Sequence, residues 1–149
     1  MNYKQISKTK EFQSDNNCCV PVAFSIAFDV TFKKMQKEFF KLGRRRYRGT
    51  PQYIWERYLY ECGKIYNKEV RRVKKYKGMT VNNFYEFYPS GVYIVGVSGH
   101  LLTIVDGIAE DWTEGRLHRV EENRIWKIGK DKEIKINRKR KLSSLFDID

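Results

Sequence analysis

The sequence predicts an α+β domain in which helices come first and an antiparallel β-sheet follows. Three observations carry this. Segments with helical spacing, or apolar on every side, concentrate between residues 20 and 62. Short β-branched runs crowd residues 92 to 128, and a hairpin dipeptide, Asp106-Gly107, separates two of them. A length of 149 residues with 41% apolar content suits one domain with a real core. Helices followed by strands indicate α+β rather than alternating βαβ units.

Each element has its own justification. Residues 1–17 are polar and expected to be irregular, with 1–11 a flexible end. Val20 to Phe28 is apolar on nearly every side, the pattern of a buried helix. Thr31 is the expected N-cap of a second helix, Phe32 to Leu42, closed by Gly43. Phe32, Met35, Phe39 and Leu42 would line its inner stripe. Thr50-Pro51 starts a third helix, with Thr as cap and Pro in the first position. It should run to about Cys62 and stop at Gly63, with Tyr53, Ile54, Tyr58 and Cys62 facing inward. Ile65 to Val73 is expected to be extended, and Thr80 to cap a short helix, Val81 to Tyr88. Strands are expected at Val92 to Val97, Leu101 to Val105, Ile108 to Trp112 and Arg124 to Ile128, with a further one at Glu133 to Ile136. Ser143 to Asp149 is expected to fray.

Composition narrows the function classes. Thirty Lys and Arg against 18 Asp and Glu give a net charge of +12. The basic residues cluster at Lys41 to Arg48, Arg71 to Lys77 and Lys127 to Lys141. A solvated basic surface explains them, and so does a patch for an acidic protein or a nucleic acid. No apolar run reaches membrane-spanning length and the N-terminus lacks a signal-like apolar segment, so the expectation is a soluble cytoplasmic protein that does not engage membranes. Three cysteines are too few for a disulfide scaffold. No metal or cofactor is expected: the adjacent cysteines diverge, there is no Cys-x-x-Cys pair, and no phosphate loop is present.

One set of residues carries chemistry. Cys19 would open the apolar helix, where unpaired backbone N–H groups and the positive end of the dipole favour a thiolate. His100 opens a strand beside Ser98 and Gly99, which leave room for a substrate and would line it; it suits a general base. His118, in a basic polar segment, reads as a surface residue. If Asp106-Gly107 is a two-residue turn, Val105 pairs with Ile108 and Leu102 with Asp111. Asp111 is then the diagonal cross-strand neighbour of His100, and a slip of one residue would give Glu110 that place. The order Cys, His, Asp has the logic of a nucleophilic triad.

Helix-borne Cys first and sheet-borne His and Asp later is also the layout of the papain-like fold. The run Cys19-Val20-Pro21-Val22-Ala23-Phe24-Ser25-Ile26-Ala27 resembles the nucleophile helix of small bacterial and phage papain-like proteins, including relatives of the C39-type bacteriocin-processing peptidases. Gly91 to Leu101 resembles their histidine segment, and Asp111 matches their carboxylate position. Gln13, six residues before Cys19, has the spacing of the oxyanion-donating Gln of that family. The resemblance covers most of residues 12–112 and leaves Cys18 or Cys19 as the attacking thiol, with helix phase and the Gln13 spacing favouring Cys19. It implies a phage or mobile-element cysteine hydrolase acting on a peptide, isopeptide or related amide, with an acidic protein substrate suggested by the basic surface. The alternative is a catalytically silent papain-like or basic module that binds a host protein or nucleic acid.

Overall fold

A helix with no polar flank is stable in water only if other elements cover it all round. The chain is built about one such helix. The computed structural model describes residues 2–113 and 117–131. In order, the elements are α1 Tyr3–Ser7, α2 Lys10–Gln13, α3 Cys19–Phe28, α4 Phe32–Lys41, α5 Gln52–Ile65, β1 Lys68–Arg72, α6 Phe84–Phe87, β2 Val92–Val97, β3 His100–Val105, β4 Ile108–Ala109 and β5 Val120–Asp131. Every residue of α3 from Val20 to Phe28 is buried. The strands form one five-stranded sheet, ordered β1-β5-β2-β3-β4, with every pair antiparallel. The α+β expectation holds. Among the described residues no helix is long and apolar enough to cross a membrane.

The sheet is covered on both faces, which is why β2 and β3 read as continuous apolar runs rather than as alternations. Ile94, Leu101, Trp126 and Ile128 pack with α3, α4 and α5. Tyr93, Val95, Val97, Leu102, Ile104 and Ile125 pack on the other side with Met79, Val81 and Phe84. Within the first layer, Thr103 Oγ1 donates to the Ala23 carbonyl at 2.6 Å, a buried bond that ties α3 to β3. The hairpin register is as derived: Val105 pairs with Ile108 and Ile104 with Ala109.

Several local expectations are corrected. Residues 3–13 form two short helices. Asn2 and Gln5 make a reciprocal capping box, Thr9 caps α2, and Ile6 is fully buried. Thr31 and Gly43 do bound α4, with Gly43 at φ +104°, but Leu42 is exposed and Gln36 takes a buried place. In α5 Tyr58 and Cys62 face inward as expected, but Trp55 and Leu59 complete the inner face, Ile54 is half-buried and Tyr53 is 77% exposed. Pro51, not Thr50, takes the N-cap position. Thr80 accepts from the Asn83 N–H at 3.2 Å, but it caps a turn, and the α-helix starts only at Phe84. The strand after the hairpin turn ends at Ala109, well short of Trp112. The late strand is longer than expected, spanning Val120–Asp131. Glu133 to Ile136, Ser143 to Asp149 and most of the Lys127 to Lys141 cluster lie outside the described residues.

Gly63 does not end α5. The helix runs through it to Ile65, and the glycine is needed for close approach instead. A Cβ there would lie 2.8 Å from Val70 Cγ2 and 3.0 Å from the Lys68 carbonyl oxygen. Gly63→Leu is therefore expected to destabilise the fold by about 1–3 kcal/mol, the usual cost of overpacking. Urea unfolding with an unchanged m-value checks this, and an unshifted midpoint would show that α5 and β1 are not closely packed there.

Candidate active site

The first turn of α3 decides which cysteine is activated. Cys18 is the N-cap and Cys19 the first helical residue. The Val22 N–H already bonds the Cys18 carbonyl at 3.0 Å, and Pro21 has no N–H. The donors left at this helix end are those of Cys19 and Val20, beside the Cys19 thiol.

The three thiols meet different surroundings. Burial pushes Cys18 up to about 11 and Cys62 up to about 12. Burial acts on Cys19 in the same direction, but there it is outweighed. The His100 ring, the Leu101 N–H, the charge of His100 and the Val20 N–H together lower the Cys19 thiol. His100 moves the other way, up to about 9: burial would lower it, but its bonds to Asp111 and Cys19 dominate. A lowered thiol facing a raised imidazole favours the thiolate–imidazolium pair over the neutral pair. Cys19, not Cys18, is the thiol this geometry activates.

Asp111 is held as closely as it holds. The strand pairing continues for one more bond, Glu110 N–H to the Thr103 carbonyl at 2.9 Å, and the chain then bends at Asp111. Asp111 Oδ2 lies 2.5 Å from His100 Nε2. Its Oδ1 accepts from the Thr113 N–H at 2.7 Å and from Thr113 Oγ1 at 2.5 Å. With Nε2 engaged, Nδ1 of His100 is left for Cys19. Trp112 lies over the imidazole, ring centroids 4.6 Å apart. Glu110, the other register candidate, instead accepts from the Tyr3 N–H at 3.1 Å through Oε2.

Two cavities open on Cys19 and His100. One, of about 230 Å³, is lined by Trp55, Thr50, Gln52 and Arg124 among others. The other, of about 360 Å³, is lined by Asn17, Trp112, Thr113 and His118. Gly99, at φ +66° in the β2–β3 turn, borders both, and nothing lies within 4 Å of where its Cβ would be. Ser98 is exposed and lines neither. Gln13 sits exposed at the end of α2 and lines neither. Asn17 brings a side-chain amide to the larger cavity. It has φ +52°, and its Nδ2 donates to the Tyr47 carbonyl at 3.1 Å, leaving its second N–H unused by that bond. His118, expected on the surface, is exposed but shares the larger cavity with Cys19.

The loop that delivers Asn17 and Cys19 is fastened from below. Asp15 takes both ends of the Arg44 guanidinium, Nη1 to Oδ2 at 2.7 Å and Nη2 to Oδ1 at 3.0 Å, with both side chains fully buried. The Tyr47 N–H and Gln36 Nε2 fill the remaining lone pairs, at 2.8 and 3.0 Å. Arg44 also donates to the Asn16 and Arg48 carbonyls. Arg44 is therefore not part of a solvated Lys41 to Arg48 patch, as its place in that cluster suggested. It is satisfied inside the protein.

Among the described residues no group of three His, Cys, Asp or Glu side chains is placed to hold a metal ion. No family model, curated protein or solved structure matches the chain.

The sequence missed Asn17, Thr113 and Arg124. Thr113 had a local signal, two residues after an Asp whose oxygen it can reach. Asn17 had a weaker one, the polar run before the helix. Arg124 had none.

Burial alone would raise the Asp15 carboxyl, but bonds from Arg44, Tyr47 and Gln36 hold it below the ordinary range. A depressed folded value adds stability above the unfolded value, and that stability is lost as pH falls through the folded value. Arg44→Met should cost about 3–5 kcal/mol near neutral pH, because a buried carboxylate is left unpaired. It should also weaken the acid dependence of unfolding, and adding Asp15→Leu should recover part of the loss. Urea midpoints at several pH values decide this, and a neutral single variant would show that the pair does not hold the loop.

Proposed function

We propose that the protein is a cysteine hydrolase of papain-like layout acting on a peptide, isopeptide or related amide. The observation that carries this is the chain of contacts Cys19–His100–Asp111–Thr113. It supports a reading of nucleophile, base and orienting carboxylate, with two cavities bordering Cys19 that offer room for a substrate. A purely structural carboxylate would not need a histidine whose other nitrogen serves a half-exposed thiol.

The Cys19 thiolate attacks the amide carbonyl carbon, forming a C–S bond and placing the electron pair on the carbonyl oxygen. The Cys19 N–H and the Asn17 side-chain amide receive that oxyanion, the place the resemblance gave to Gln13. Removing one such donor typically costs about 10²–10³ in rate. Nδ1–H of His100 protonates the departing amine as the C–N bond breaks, leaving a thioester. Neutral His100 then takes a proton from water, whose oxygen attacks the thioester, and the Cys19 thiolate leaves. Asp111, fixed by Thr113, keeps Nδ1 directed at the sulfur throughout and stabilises the imidazolium.

The thiolate form is expected between the lowered value of Cys19 and the value of about 9 of His100. Alkylation by iodoacetamide, followed by mass spectrometry, should show Cys19 reacting on a plateau through neutral pH. Cys18 and Cys62 should react only in alkali. In His100→Ala the Cys19 profile should move to higher pH, with a rate at pH 7 about 10–100-fold lower. Three slow thiols in the folded protein would exclude the hydrolase and turn attention to the basic surface as a binding face. Cys19→Ala should remove amide hydrolysis while leaving the unfolding midpoint nearly unchanged. Asp111→Asn should lower the rate and shift its pH profile.

A further inference from the structure

The cavity on the Trp55 side of Cys19 holds a fixed cation, and that fixation is built from three places in the sequence. Arg124 lies in β5 where the pairing with β2 slips. Val95 pairs with Ile125 but Val97 with Val120, so residues 121–124 bulge, with Asn123 at φ +57°. The side chain then lies across the sheet over Gly96. A Cβ on Gly96 would come within 2.8 Å of Arg124 Cδ and 2.9 Å of its Cβ, so only glycine leaves the path open.

The guanidinium is held at its edges. Nη1 pairs with the half-exposed Glu121 at 3.0 Å, and Nη2 donates to Gln52 Oε1. The orientation of Gln52 is set in turn, because its Nε2 donates to Glu56 at 3.1 Å and Glu56 also takes Arg72 at 2.8 Å. A guanidinium has five N–H donors in one plane, and these two contacts leave others for a ligand.

The rest of the wall suits an anion with an apolar stem. Among the described residues its lining holds no carboxylate, while Trp55 supplies apolar surface. Thr50 Oγ1, also in the lining, is buried with no hydrogen-bond partner among the described residues. A buried hydroxyl without a partner is uncommon. A planar fork of N–H donors matches a carboxylate.

We propose that this cavity binds the carboxylate of an acidic side chain next to the amide under attack, with Arg124 as the specificity-determining residue. The substrate class is an acidic peptide or a glutamyl or aspartyl amide. This rests on the cysteine-hydrolase reading and deepens it.

The test uses the full chain and three alkylating reagents: iodoacetamide, N-(iodoacetyl)glutamate and N-(iodoacetyl)glutamine. Rates at Cys19 are read by mass spectrometry at neutral pH in about 0.3 M salt, which screens steering by the net charge. Each amino-acid reagent is expressed relative to iodoacetamide in the same protein. The glutamate reagent should exceed the glutamine reagent at least tenfold. That ratio should fall to about one in Arg124→Gln and in Gly96→Ala, which displaces the same side chain by a different route. It should persist in Lys10→Gln, a distant charge change. Equal rates in the wild type, with fast iodoacetamide labelling, would overturn the pocket and leave the nucleophile standing. A ratio that survives both cavity variants would also overturn it, assigning the preference to His100 or the surface charge. Slow labelling of Cys19 by all three reagents would overturn the hydrolase reading, and the proposal with it.

Discussion

The structure depends on burying α3. Its sequence offers no polar flank, so α1, α4, α5 and the sheet must close around it, and only its first turn can meet solvent. That turn carries Cys19. The sheet side of the enclosure brings β3 against the helix, and the bond from Thr103 to the Ala23 carbonyl fixes their relative position. His100, three residues earlier on the same strand, is thereby placed against the thiol. The reactive contact follows from the packing contact.

The same cysteine chemistry in three surroundings shows what the site adds. Burial raises all three thiols, and at Cys18 and Cys62 nothing reverses it. At Cys19 a histidine and two backbone donors do. The histidine can serve because a second-row partner holds it. Thr113 occupies one oxygen of Asp111 and leaves the other for the ring. Charge elsewhere in this basic protein is mostly at the surface. Where it is internal, at Asp15 and Arg44, it joins two loops instead of facing a partner.

What was legible in the sequence was what local rules decide. All-round apolarity marked α3 and helical spacing marked α4, and a two-residue turn at Asp106-Gly107 fixed the register that brings Asp111 to His100. Distances along the chain limited the rest. Gln13 had the right spacing to Cys19 in the chain, but α2 carries it to an exposed position, and Asn17 stands at the cavity instead. Arg44 looked like one more surface arginine until its partner, 29 residues earlier, was placed beside it. Arg124 reaches the site only through a bulge and a glycine on a neighbouring strand, a coincidence of two strands that no single-segment pattern contains. Gly63 looked like a helix stop because glycine usually breaks helices, whereas here the close approach of β1 outweighs that cost.

The bond between Ala23 and Thr103 spans 80 residues of sequence, and the thiol and its base lie on the same two elements. Contacts of that separation form late, after the entropy of closing a long loop has been overcome. A chain emerging from the ribosome would therefore carry an ordinary, protonated thiol until the β2–β3 hairpin docks on the helix. Enhanced reactivity at Cys19 would then be a property of the finished fold, and an incompletely folded molecule would carry only thiols of ordinary reactivity.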